Sequence, residues 1–142
     1  MISKSPIWLA FLLLTLLTAS CFSPAQDRAR LEEVNRIWMK FPLYPGMVEV
    51  SNSTSSGFGK AFVSKSFRSK ASYDEVKRFY VEHLTQEGWQ LVEERNLKDW
   101  DRDLGGRELG FRRGDYEVTI EYAGEKAKRG WDYGIGIGWR HY

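Results

Sequence analysis

Alternating carboxylates between residues 99 and 103 are the pattern in this sequence that comes nearest to metal chemistry. Asp99, Asp101 and Asp103 are each separated by one residue, a spacing at which carboxylates supply oxygen ligands in calcium-binding loops. An EF-hand also needs glycine at its sixth position and a bidentate glutamate at its twelfth. Leu104 and Gly110 occupy those positions here. We therefore interpret the stretch as a solvated acidic loop and expect no metal site.

Few residues could act as a nucleophile or a general base. The sequence has one cysteine, Cys21, and two histidines, His83 and His141. His83 lies on the apolar stripe of a predicted helix, which is typical of a packed histidine, and no motif supplies it with an orienting partner. Neither a G-x-S-x-G nor an H-E-x-x-H motif is present. We expect no enzymatic activity and no cofactor.

A row of glycines near the end of the sequence is the strongest candidate for a binding surface. Gly134, Gly136 and Gly138 alternate with apolar residues, so they share one face of the last predicted strand. Gly110 and Thr119 are expected on the same face of the neighbouring strands. We call these five residues the glycine face. Because glycine weakens a strand, three glycines at this period indicate that something approaches the backbone closely.

Three explanations of the glycine face remain open. The N-terminal helix predicted below, or a large neighbouring aromatic side chain, could cover it. A ligand or a protein partner could dock on it instead. The glycines could also simply be tolerated there.

A helix over residues 72–87 is the element that must support such a sheet. Ser72 and Glu75 form the S-x-x-E capping box that marks a helix start. Gly88 and Trp89 are placed for a Schellman motif at the helix end. The apolar residues of the helix recur on one stripe, which must be buried: Val76, Phe79, Tyr80 and Leu84.

Six short strands surround this helix in the sequence. They are predicted at Met47–Ser51, Ala61–Ser69, Trp89–Arg95, Arg107–Arg113, Tyr116–Tyr122 and Trp131–Arg140. The polar stretches Asn52–Lys60 and Asn96–Gly106 are expected to be loops. The sequence therefore predicts an α+β fold, with an antiparallel sheet packed on one main helix and a short helix before it.

One hairpin has a register that follows from its turn. A two-residue turn at Gly114-Asp115 suits a type II′ hairpin. With that turn, Phe111 lies opposite Val118 and Leu109 lies opposite Ile120, all on one apolar face.

The first twenty residues differ in composition from the rest. Lys4 is their only charged residue, and Ile7–Leu17 is apolar apart from one threonine. A helix of that length rises only about 16 Å, roughly half of a bilayer core, so the run is typical of a signal peptide.

The residues after this run, Thr18-Ala19-Ser20-Cys21, resemble the lipobox of bacterial lipoprotein precursors. The resemblance implies that residues 1–20 are removed and that Cys21 is acylated. It also implies a membrane-anchored protein of the cell envelope, at the outer membrane where the host has two. An ordinary secretory signal, cut near Ala19 or Ala25, and an uncleaved anchor remain alternatives.

A further helix is predicted over residues 24–41, with Ser23 as its cap and Pro24 at its first position. Leu31, Val34 and Phe41 recur on one side of it, so it could rest on lipid, on the domain or on neither for long, and we expect it to dock on the domain. The chain then divides into a signal peptide (1–20), an acylated cysteine with a helical stalk (21–43), and an α+β domain (44–142).

The charge balance limits the classes of partner. Without residues 1–20 the chain has 20 basic and 19 acidic residues, which gives no concentrated basic surface for nucleic acid. The sequence favours a non-catalytic binding or assembly component with a protein partner in the envelope. The alternative is a secreted domain that binds a small ligand or a glycan through exposed aromatic residues.

Overall fold

The structure is a computed structural model that describes residues 23–140. Six antiparallel strands form one sheet in the order β1-β2-β6-β5-β4-β3, and two helices pack against one face of it. The elements are α1 (Pro24–Met39), β1 (Val48–Gly57), β2 (Lys60–Arg68), α2 (Tyr73–Gln86), β3 (Gln90–Asp99), β4 (Arg102–Arg113), β5 (Tyr116–Tyr122) and β6 (Tyr133–Arg140). The predicted α+β fold is confirmed.

Helix α2 is the predicted main helix, and both of its ends are capped locally. The backbone N–H of Ser72 donates to the Glu75 carboxylate at 2.8 Å, and the Ser72 hydroxyl accepts from the Glu75 N–H. Gly88 has a φ of 83°, and the N–H of Trp89 donates to the Leu84 carbonyl at 2.9 Å. These are the contacts of a capping box and a Schellman motif.

Helix α1 packs on the same face of the sheet as α2. Val34 is 0% exposed, and both Val34 and Phe41 belong to the hydrophobic core. The Arg30 guanidinium lies 3.4 Å above the ring of Trp139. Helix α1 contacts β1, β2 and β6, whereas α2 contacts β3 and β4. The segment expected to be a stalk is therefore docked on the sheet, although the Ser23 side chain makes no capping hydrogen bond.

The hairpin of β4 and β5 has the predicted register. Phe111 pairs with Val118, and Leu109 pairs with Ile120. Gly114 has a φ of 57°, as a type II′ turn requires at its first central position. The apolar face of this hairpin is buried beneath the two helices.

The stretch Asn52–Lys60, expected to be a loop, is mostly strand. Strand β1 continues through it to Gly57 and pairs with β2 along its length. Phe58 and Gly59 form the turn, with φ angles of 51° and 74°, and two left-handed residues suit the twist of a tight hairpin. The prediction was wrong because β1 is an edge strand, where polar residues can be exposed on both sides.

The stretch Asn96–Gly106 is likewise a hairpin and not a loop. Strand β3 runs to Asp99, and β4 begins at Arg102. The turn residues Trp100 and Asp101 have φ angles of 48° and 66°. A salt bridge of 2.8 Å between Arg102 and Asp99 ties the two strands together at the turn.

Candidate functional site

The glycine face lies on the side of the sheet opposite to the helices. Gly110 pairs with Thr119, and Thr119 pairs with Gly136, so the sheet brings these residues together as predicted. The ring of Phe62 lies over the centre of this face, since a Cβ added to Gly136 would lie 2.9 Å from two of its ring atoms. Aromatic side chains therefore cover the glycines of β6, with Phe62 against Gly136 and Gly138 and Trp131 against Gly134, and α1 does not.

Charged side chains from several strands also lie on this face, and they pair with one another. Arg140 and Glu117 approach to 2.6 Å, and Arg95 and Glu108 to 2.7 Å. Burial raises the pKa of Glu121, which the nearby Arg129 partly offsets. Docking of a protein partner on the glycine face stays a prediction.

Cys21 and the lipobox lie outside the described residues. His83 is packed, with its Nδ1 atom 2.8 Å from the Phe79 carbonyl oxygen and its ring stacked on that of Phe79. Within residues 23–140, no group of three or more His, Cys, Asp or Glu side chains is arranged to hold a metal ion. Neither α1 nor α2 has the length and apolar character needed to cross a membrane.

A groove of about 640 Å³ opens between the start of α2 and the adjoining ends of β1 and β2. Its apolar wall is formed by Tyr44, Pro45 and Val48. A second, mostly polar wall adjoins it and comes from the end of β2, the connection to α2, α2 itself and the residue before β6: Arg68, Ser69, Lys70, Ala71, Glu75 and Asp132. We call this site the α2 groove.

Buried tyrosine hydroxyls hold both walls of the α2 groove in place. The Tyr80 hydroxyl accepts a hydrogen bond from the Tyr44 N–H at 3.3 Å. The Tyr133 hydroxyl donates to the Ala71 carbonyl at 2.8 Å. Burial raises the pKa of both tyrosines, so both hydroxyls stay protonated at neutral pH. The walls are therefore fixed to the core from two sides.

The α2 groove contains two cations and two carboxylates, and hydrogen bonds engage both carboxylates. The Asp132 carboxylate accepts from the Ser69 N–H at 2.9 Å, and the hydrogen bonds from Ser72 lower the pKa of Glu75. Arg68 and Lys70 are exposed and form no ion pair with any carboxylate in residues 23–140. Two cations beside an apolar wall can bind an anion that carries an apolar group.

The α2 groove is not evident from the sequence, because its residues come from four separate segments. The turn around Tyr44-Pro45-Gly46 and the cations of Arg68–Lys70 were visible in the sequence. Only the antiparallel pairing of β1 with β2 and of β2 with β6 places these segments side by side.

Comparison with known proteins identified one family. A family model described as START domain-like matches residues 47–131, whereas no curated protein and no solved structure matched the chain. The matched range contains five of the six strands and all of α2, and it supplies Val48, Arg68, Lys70 and Glu75 to the α2 groove. Since the range covers more than half of the chain, the protein belongs to the START domain-like family.

Proposed function

We propose that the protein is a non-catalytic domain that binds a small anionic amphiphile in the α2 groove, held at a membrane of the cell envelope by lipid on Cys21. The observation that carries the binding proposal is the placement of Arg68 and Lys70, both without a carboxylate partner among the described residues, next to an apolar wall. Membership of the START domain-like family supports a ligand-binding role.

The dimensions of the α2 groove suit a small molecule. Its volume of about 640 Å³ lies within the range usual for such sites, roughly 300 to 1,000 Å³. The space beneath α2 is filled by its own side chains, because Tyr80 and Leu84 are 0% exposed. The ligand would therefore lie in the open groove, with its anionic group beside the two cations and its apolar part against Tyr44 and Val48.

Removing both cations should weaken the binding of an anionic aromatic probe. Anilinonaphthalene sulfonate combines a sulfonate with an apolar ring system, and its fluorescence rises on binding. We expect Arg68→Gln/Lys70→Gln to raise its Kd roughly ten-fold, because two exposed ion pairs contribute about 1 to 2 kcal/mol together. Phenylnaphthylamine, which lacks the sulfonate, should bind both proteins equally.

A matched variant separates the groove from a general effect of charge. Lys98 and Lys128 are also exposed and lie outside the groove, so Lys98→Gln/Lys128→Gln should leave the Kd of the sulfonate probe unchanged. Thermal unfolding of both double variants checks that the probe reports a folded protein. Equal weakening by the two double variants would contradict a specific anion site.

The anchor is tested by the intact mass of the protein recovered from membranes. The mature chain is expected to begin at Cys21 and to carry two or three acyl groups, whose apolar surface holds a small domain stably on a bilayer. Cys21→Ala should abolish both the acyl groups and the membrane recovery. An unacylated chain cut elsewhere would remove the anchor and leave the α2 groove as a site in a secreted domain.

A further inference from the structure

The turn between β1 and β2 places an aromatic side chain fully in solvent. Phe58 is 91% exposed and has a φ of 51°. Glycine, asparagine or aspartate would suit such a left-handed position better, and a bulky residue there is uncommon. The conformation and the exposure both disfavour phenylalanine in an isolated domain. An unfavourable residue that persists in a turn is grounds for a functional hypothesis.

Cations flank Phe58 at this end of the sheet. Phe58 lines a shallow groove of about 540 Å³ together with Pro24, Arg28 and Leu31 of α1. Arg28 and Lys60 are exposed, and neither forms an ion pair with a described residue. Asp27 also lines the groove, but it is 6% exposed and lies 3.6 Å from the Arg30 guanidinium. The accessible charge beside Phe58 is therefore positive.

The chain enters the fold at the same place. Pro24 is the first residue of α1 and lines the groove with Phe58. Cys21 precedes Pro24 by three residues, and the apolar run Ile7–Leu17 precedes Cys21. Acyl groups on Cys21 or an uncleaved apolar run would each bring a bilayer to this end of the sheet.

A second exposed aromatic residue, at the other end of the sheet, has the opposite surroundings. Trp100 is 93% exposed with a φ of 48° in the turn between β3 and β4. Asp99, Asp101 and Asp103 lie around it together with Lys98 and Arg102, so this turn has a net charge of −1. Anionic headgroups attract a surface like that around Phe58 and repel one like that around Trp100.

We propose that the β1–β2 turn docks on the surface of an anionic lipid bilayer, with the Phe58 ring among the headgroups and acyl chains and with Arg28 and Lys60 against lipid phosphates. Aromatic side chains are favoured at this depth because one side of the interface is apolar and the other is wet. The docking does not depend on a ligand in the α2 groove, which lies at the opposite end of β1 and β2.

Photocrosslinking of the full chain tests this proposal. The photoreactive analogue benzoylphenylalanine replaces Phe58 in one protein and Trp100 in another, and each is placed in vesicles of phosphatidylcholine with phosphatidylglycerol as the minor component. Mass spectrometry after illumination should find lipid adducts at position 58 and none at position 100. The adducts should be lost with Arg28→Gln/Lys60→Gln, and unchanged with Lys98→Gln/Lys128→Gln.

Other products identify other occupants and overturn the proposal. Adducts between position 58 and residues 18–22 would show that the groove binds the chain's own N-terminal segment, and adducts to a second copy would show dimers. Equal lipid adducts at positions 58 and 100 would also contradict it. Hydrogen exchange of the unmodified protein gives a second readout: backbone amides around Phe58, but not around Trp100, should exchange more slowly on anionic than on neutral vesicles.

Discussion

Replacement of Gly124 by alanine is expected to lower the free energy of unfolding by roughly 4 kcal/mol. Gly124 has a φ of 101°, and a Cβ there would lie 2.2 Å from the Leu104 carbonyl oxygen and 2.7 Å from the Gly106 nitrogen. Both are backbone atoms of β4, so the clash cannot be relieved by a rotating side chain. Denaturant unfolding followed by tryptophan fluorescence measures the loss.

Gly130 provides the matched control for this clash. Its φ is 79°, but no atom lies within 4 Å of the position that a Cβ would take. We expect Gly130→Ala to lower the free energy of unfolding by only about 1 kcal/mol, the conformational cost of a left-handed alanine. Similar losses at the two positions would show that backbone conformation alone, and not contact with β4, makes Gly124 necessary.

Val34→Asp is expected to destabilise the protein by roughly 4 kcal/mol, because it puts an unpaired carboxylate where α1 meets the sheet. Val34 is 0% exposed and packs in the same core as Val63 and Ile137. The free energy of unfolding of the whole domain should fall, since α1 and the sheet share this core. The same denaturant titration, read by fluorescence and by circular dichroism, should show one transition at a lower midpoint.

Ala29→Asp is the control on the same helix, because Ala29 is exposed. It should lower the free energy of unfolding by only about 0.5 kcal/mol, through helix propensity. If Val34→Asp had as small an effect, α1 would be a stalk whose contact with the sheet contributes nothing to stability.

The parts of the fold that were predictable are those determined by neighbouring residues. Both ends of α2 depend on hydrogen bonds between residues close in the sequence: the capping box of Ser72 and Glu75, and the helix end at Gly88. Their residue types therefore predict the structure directly. The same holds for the turn at Gly114, because a two-residue turn allows only one pairing register for the β4–β5 hairpin.

The polar edge of the sheet was not predictable in the same way. Residues 52–56 have no apolar alternation, and each is exposed in β1. Their strand conformation depends on hydrogen bonds to β2, so it is visible only once the partner strand is known. The sequence did contain one usable signal, since glycine on both sides of Phe58 suits a tight turn.

The two candidate sites differ in the same way, because one depends on a regular strand pattern and the other on contacts between distant segments. The glycine face was predictable because it lies on paired strands with a known period, but Phe62 as its cover was one of several aromatic candidates until the pairing of β2 with β6 placed it over Gly136. The α2 groove was not predictable, because it forms where segments distant in the sequence meet. Neither the type nor the spacing of Arg68 and Lys70 indicates the apolar wall beside them.

The length of β1 has a consequence for the source of the ligand proposed for the α2 groove. The strand has ten residues, which span roughly 30 Å, with Phe58 beyond one end and the α2 groove at the other. If Phe58 docks on the bilayer as proposed, the α2 groove at the other end of the strand therefore faces the water, far from the headgroups. In that orientation a ligand would arrive dispersed in the aqueous compartment or delivered by a soluble carrier, because the groove would not reach the lipids of the supporting leaflet.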